Sequence, residues 1–241
     1  MILALNTSTR QSSIALLRMD RTVAAESLMV EGKGHFGGLM PAVDMLITGT
    51  GLNHKDIACV AAATGPGSFT GLRVGLSLAK GISQALGVPL IGISSLRALA
   101  FQLPFTPNPI APILSSRRGE IFTALFLRSP GNLLHRKEKD SCYRLLDLPN
   151  LFGDTTVFIG NDFLNHGLRL KELLEDHDRI APPQYWHLKA SSIGALAADR
   201  FDADDSDDVG SLIPRYLRLP DIRSQSGLVT QNNPSRQHVI Y

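Results

Sequence analysis

The chain has 241 residues, 44% of them hydrophobic and 19% charged, with 24 basic against 22 acidic side chains and a net charge of +2. That length suits one large domain or two medium ones with real cores, and the even charge balance excludes a strongly basic nucleic-acid surface. Two cysteines outside any CxxC pair, an opening Met1-Ile2-Leu3-Ala4-Leu5-Asn6 too short for a secretory signal and no apolar run of membrane-spanning length predict a soluble cytosolic protein without metal or redox chemistry at its thiols.

Ile2 to Leu5 reads as a buried strand, Ser12 to Leu17 as a second and Thr22 to Val30 as a third, with Asp20-Arg21 as the turn between the last two. A helix from about Gly38 to Ile47 follows, then a strand at 58–63 and the sequence Gly65-Pro66-Gly67-Ser68-Phe69-Thr70-Gly71-Leu72-Arg73. That segment opens a long helical pattern, 72–86. Leu90 to Ile93 is a further strand, and Ser94-Ser95 caps a short helix to about Leu103. Pro104, Pro107, Pro109 and Pro112 then mark a boundary. They divide a first unit, 1–104, from a second, 105–219, with a polar tail at 220–241. In the second unit, 110–114, 120–127, 133–139 and 156–159 read as strands. Gly160-Asn161-Asp162 opens a helix to about Leu174, and Ser191-Ser192 caps another to about Phe201. Asp202 to Asp208 reads as a solvated acidic loop, since it lacks the glycine and terminal Glu of a calcium loop.

Two of these helices carry more apolar surface than one sheet can cover. In 72–86 the polar residues Arg73, Ser77, Lys80 and Gln84 form one narrow stripe, leaving an apolar arc of roughly 220° where about 100° suffices for packing on a sheet. The helix near 38–47 has a similar arc, with Phe36, Leu39, Met40, Val43 and Ile47 along one side. Either both helices are sandwiched within the chain, or they present an apolar face to a partner. Gly75 and Ala79, one turn apart, allow close helix approach in either case.

The glycine-rich turn suggests a phosphate cradle at a helix N-terminus. Its details fit poorly: it has no lysine at the Walker position, and Gly65, Gly67 and Gly71 are one residue too widely spaced for a dinucleotide fingerprint. A tight turn that lets a helix pack on its strand explains the same residues. Asn6 and Ser115 stand at strand ends where a magnesium–nucleotide site wants a carboxylate. His35 is followed by Leu39 rather than the second histidine of a helical zinc pair.

Leu3-Ala4-Leu5-Asn6-Thr7-Ser8-Thr9 and Gly65 to Arg73 resemble the opening and central motifs of the bacterial TsaB (YeaZ) family. Arg117-Arg118-Gly119-Glu120-Ile121-Phe122 and Pro214-Arg215-Tyr216-Leu217-Arg218 are similar to its later ones. The resemblance implies an α/β protein of ASKHA (actin-like ATPase) architecture, two ribonuclease-H-like lobes with mixed sheets flanked by helices, the last helix able to pack back on the first lobe. It implies a non-catalytic subunit of the complex that installs threonylcarbamoyl on adenosine beside the tRNA anticodon. The partner TsaD would carry the metal and perform the transfer, and the ATPase TsaE would join the pair. No cofactor or metal is then expected on this chain alone, ATP or ADP belonging to the partner subunits; tRNA is met only through the complex, and no membrane is involved. Carried onto this chain, the TsaD-binding face comprises His35, Phe36, Leu39, Met40, Val43, Leu46, Leu72, Gly75, Leu76, Ala79 and Ile82, and the isolated chain could form a homodimer through it. Asn6, Thr7, Ser8, Ser68 and Thr70 are the positions of a vestigial nucleotide contact. The alternatives are an ATP-dependent phosphotransferase, disfavoured by Asn6 and Ser115, and a glycoprotease-type metalloprotease, disfavoured by Leu39.

Overall fold

The computed structural model describes residues 1–29, 35–116, 119–129, 133–153, 155–160, 163–174 and 179–217. The first sheet is built from β1 Ile2–Asn6, β2 Ser12–Leu17, β3 Val23–Met29, β4 Cys59–Gly65 and β5 Leu90–Ser94, in the order β3-β2-β1-β4-β5. β1 runs antiparallel to β2, Leu3 opposite Leu16, and parallel to β4, Ala4 opposite Ala61. Ile2 and Ala4 enter one core, Leu3 and Leu5 another, and all four are buried. A strand covered on both faces reads as the continuous apolar run seen here. The second sheet contains β6 Ile110–Ser115, β7 Glu120–Arg128, β8 Leu134–Arg144 and β9 Val157–Gly160, ordered β8-β7-β6-β9.

The helices are α1 Leu39–Gly49, α2 Phe69–Leu86, α3 Ser95–Phe101, α4 Phe163–Leu173 and α5 Ala190–Asp202. α1 lies over β2 and β3, and α2 over β4, on one face of the first sheet. α3 and α5 occupy the space between the two sheets. The turn Leu145–Asn150 and the end of the α4 segment cover the outer face of the second sheet. The layers therefore run helix, sheet, helix, sheet, helix. Within residues 105–219, expected as a second lobe whose last helix can pack back on the first, α5 and 207–217 contact the first sheet. No helix among the described residues is long and apolar enough to cross a membrane.

Element ends moved for local reasons. α2 starts at Phe69, not Leu72, because the Ser68 hydroxyl caps it by accepting from the Gly71 N–H at 3.2 Å. Ser191 does not cap α5; its N–H and hydroxyl donate instead to the Glu26 carboxylate of β3, at 2.8 and 2.9 Å. β8 continues to Arg144, well past the expected Lys139, because its partner β7 is long enough to pair with it. Asn161, Asp162, Arg117, Arg118, Arg218 and the tail lie outside the described residues.

The acidic loop is exposed as expected at Asp202, Asp204, Asp205 and Asp208, and Asp207 is the exception. Asp207 donates its N–H to the Leu90 carbonyl at 2.9 Å, and its carboxylate accepts from the Gly92 N–H at 2.7 Å. It thereby closes the edge strand β5, whose backbone groups need partners. Arg200 bridges Asp205 and Asp207 at 2.6 and 2.8 Å. Asp207→Ala removes two charge-assisted bonds and leaves a strand N–H unpaired. It is expected to cost about 2–3 kcal/mol, read by denaturant unfolding of the pure protein.

Candidate functional site: the glycine turn and the outer helices

Asn6 ends β1 and is fully buried. Its amide donates to the Leu188 carbonyl at 3.0 Å and to the Thr9 hydroxyl at 3.3 Å. Its oxygen accepts from the Ser8 N–H at 3.0 Å and the Ser8 hydroxyl at 2.7 Å. The site thus needs a side chain that both donates and accepts. A carboxylate would face the Leu188 carbonyl oxygen with no hydrogen to offer it. The missing carboxylate noted in the sequence is here a buried network satisfied by an amide.

The turn beside it is filled by the chain's own atoms. The Ser68 N–H donates to the Ser8 carbonyl at 2.7 Å, and the Thr7 hydroxyl donates to the Gly71 carbonyl at 2.7 Å. A Cβ on Gly71 would collide with the Thr7 carbonyl oxygen, and one on Gly75 with the Thr7 hydroxyl. Glycine at these positions lets α2 press against the β1–β2 loop. Of the nucleotide-contact candidates, Asn6, Thr7 and Ser8 are buried and bonded to one another or to this turn, while Ser68 and Thr70 are on the surface. Gly75 serves helix–loop packing rather than the helix–helix approach expected from its spacing.

The over-apolar arc of α2 divides in two. Gly71, Leu72, Gly75, Leu76, Ala79 and Ile82 are buried in this chain, an inward arc of roughly 140°. Val74 and Leu78 are half-buried, and Gly81 and Ala85 exposed. These four recur at spacings of four, three and four, a row that suits a packed helix neighbour. The row lies on the α1 side, because the opposite side of α2 is taken by the C-terminal segment. There Tyr216 stacks on Phe69 with ring centroids 4.9 Å apart, and its hydroxyl accepts from Arg73 at 3.1 Å. The Arg73 guanidinium sits 3.9 Å from the centre of the Phe69 ring. This aromatic–arginine stack, which engages Tyr216, was signalled only by Phe69 and Arg73 standing one helical turn apart.

In α1, Leu39, Val43 and Leu46 face the core, whereas Met40 and Met45 are 45% and 62% exposed. So among the eleven partner-face candidates, Leu39, Val43, Leu46, Leu72, Gly75, Leu76, Ala79 and Ile82 are consumed by intramolecular packing and Met40 is exposed. Periodicity alone could not separate the two uses of one arc. His35 and Phe36 begin the short turn His35–Gly38; their side chains lie outside the described residues. Among the described residues, no three of His, Cys, Asp and Glu group together as a metal would require.

A family model described as TsaD, tRNA N6-adenosine threonylcarbamoyltransferase, matches residues 30–220. The Bacillus subtilis tRNA threonylcarbamoyladenosine biosynthesis protein TsaB is 32% identical over 227 residues, covering 93% of this chain and 96% of that protein. The structure of YeaZ from Pseudomonas aeruginosa superposes with a TM-score of 0.71 at 20% identity, over 89% of this chain and 99% of that one. The Acidaminococcus fermentans (R)-2-hydroxyglutaryl-CoA dehydratase component A shares the fold alone, with a TM-score of 0.51 at 12% identity over 83% and 98% of the two chains. The layered, two-sheet architecture is the ASKHA fold, and the chain, matched nearly end to end by TsaB, belongs to the TsaB (YeaZ) members of the threonylcarbamoyltransferase-type family.

Proposed function

We propose that this chain takes part in tRNA threonylcarbamoyladenosine biosynthesis as a non-catalytic subunit that binds and activates TsaD. The outward row Val74, Leu78, Gly81 and Ala85 on α2 carries this reading: Val74 and Leu78 pack against the core with one side only and remain half-exposed, and Gly81 and Ala85 are exposed. Small residues at Gly81 and Ala85 admit a partner helix, while exposed Met40 and Met45 of α1 extend the surface with adaptable side chains. The interface would thus be centred on the exposed shoulder of α2 rather than on the buried residues named from the resemblance. A standard-sized contact of about 1,600 Å² would hold the pair. Binding acts by population shift, favouring the TsaD conformation that holds its substrate. TsaE joins the assembled pair, and the isolated chain can use the same shoulder to pair with a second copy.

The packing of the glycine turn supports a role without phosphoryl transfer. The loops that would cradle a phosphate bond to each other, and Asn6 supplies an amide where a metal would need a charge. The test is reconstitution of tRNA modification from purified components with and without this chain, alongside ATP turnover by the chain alone. Modification that depends on the chain is expected. Turnover well above buffer that disappears in Asn6→Ala would overturn the assignment in favour of a phosphotransferase.

A further inference from the structure

A cleft of about 580 Å³ opens beside the edge strand β5, between α3, α5, β8 and the C-terminal segment. Its volume falls within the range of small-molecule sites, about 300–1,000 Å³. None of Asn6, Thr7, Ser8, Ser68 or Thr70 lines it. Four arginines do: Arg97, Arg136, Arg200 and Arg215.

The carboxylates of the cleft are already committed. Asp205 and Asp207 hold Arg200, and Asp199 holds Arg21 at 2.8 Å. Arg136 pairs with Asp140. Among the described residues, Arg97 and Arg215 have no carboxylate within ion-pair distance, so the cleft carries positive charge that no described carboxylate pairs with. The Arg136 pKa is lowered, first by burial and then by repulsion from Arg215 and Arg97. Arg97, Arg136 and Arg215 line one shared cleft. Three like charges from three separate segments, α3, β8 and the C-terminal segment, are an arrangement that an anion would stabilise. Guanidinium forks match phosphate oxygens in pairs, and aliphatic Leu196, Leu212 and Ile213 give the cleft an apolar wall.

We propose that this cleft binds a small phosphate-bearing molecule with at least two negative charges, held by Arg97, Arg136 and Arg215. The site stands apart from the outer shoulder of α2 and does not depend on TsaD binding. The test is calorimetric titration of the full chain with inorganic pyrophosphate at low salt. Saturable one-to-one binding is expected, weakening as salt is raised. Arg97→Gln and Arg215→Gln should each weaken it by about tenfold, an effect typical of a charge-assisted contact. Both side chains are exposed, so the melting temperature should hold. Arg97→Lys, which keeps the charge but not the fork, should lose less than Arg97→Gln. Absence of saturable pyrophosphate binding overturns the proposal. So does equal binding by wild type and a folded Arg97→Gln/Arg215→Gln variant, or binding of tRNA without binding of pyrophosphate.

Discussion

Gly71→Ala is expected to lower the melting temperature by about 6–12 °C. The new Cβ meets the Thr7 carbonyl oxygen, a backbone atom of the buried loop that directly follows β1. A side-chain tip could rotate away; this oxygen cannot without moving the loop and with it the Asn6 network. Overpacking of this kind costs about 3 kcal/mol, and a chain of this size loses about 2–4 °C per kcal/mol. Gly75→Ala should cost less, about 2 kcal/mol, because the obstacle is the Thr7 hydroxyl. Turning it aside sacrifices its bond to the Gly71 carbonyl. Gly81→Ala is the internal control. No atom lies within 4 Å of its added Cβ, so helix propensity alone acts and should stabilise by about 1 kcal/mol. Thermal unfolding of the three variants checks the order. Equal effects at 71 and 81 would show that the turn is not packed as described.

Gly81→Arg is expected to weaken binding to TsaD by about 100-fold, the loss of a central interface anchor, while leaving the fold at least as stable. The substitution improves helix propensity by about 0.8 kcal/mol and meets empty space in this chain. It places a long charged side chain in the middle of the row Val74, Leu78, Gly81 and Ala85. Charges at buried positions would be uninformative by comparison. Val43 and Leu76 are 1% and 3% exposed, and an unpaired carboxylate there costs several kcal/mol, so Val43→Asp or Leu76→Asp would report unfolding rather than lost contact. Titration of TsaD with wild type and Gly81→Arg separates these cases. Unchanged affinity would move the interface elsewhere.

Much of the fold was legible because strands buried on both faces leave continuous apolar runs, as in Ile2 to Leu5 and Cys59 to Ala63. The turns were marked by residues with local reasons to be there. Arg21 adopts φ +70° and Asp20 accepts bonds from Thr22 at 2.9 and 2.6 Å, as the expected hairpin requires. Less legible was whatever depended on distant partners. Ser191 looks like a helix cap, yet serves Glu26, 165 residues away. Asp207 looks like solvated charge, yet completes β5 and Arg200. The glycines of 65–75 announce close approach, but sequence does not say to what; a phosphate and the Thr7 backbone make the same demand for a missing side chain. The apolar arcs of α1 and α2 had the same ambiguity, since periodicity records how much surface is apolar and not which part meets the core.

On the proposed reading, the exposed shoulder of α2, and no chemistry in this chain, connects the protein to tRNA modification. The most direct measurement is threonylcarbamoyladenosine formation on tRNA by a reconstituted system in which Gly81→Arg replaces the wild-type chain. This folded variant is expected to support no more modification than a reaction lacking the chain. Modification at the wild-type rate would contradict it.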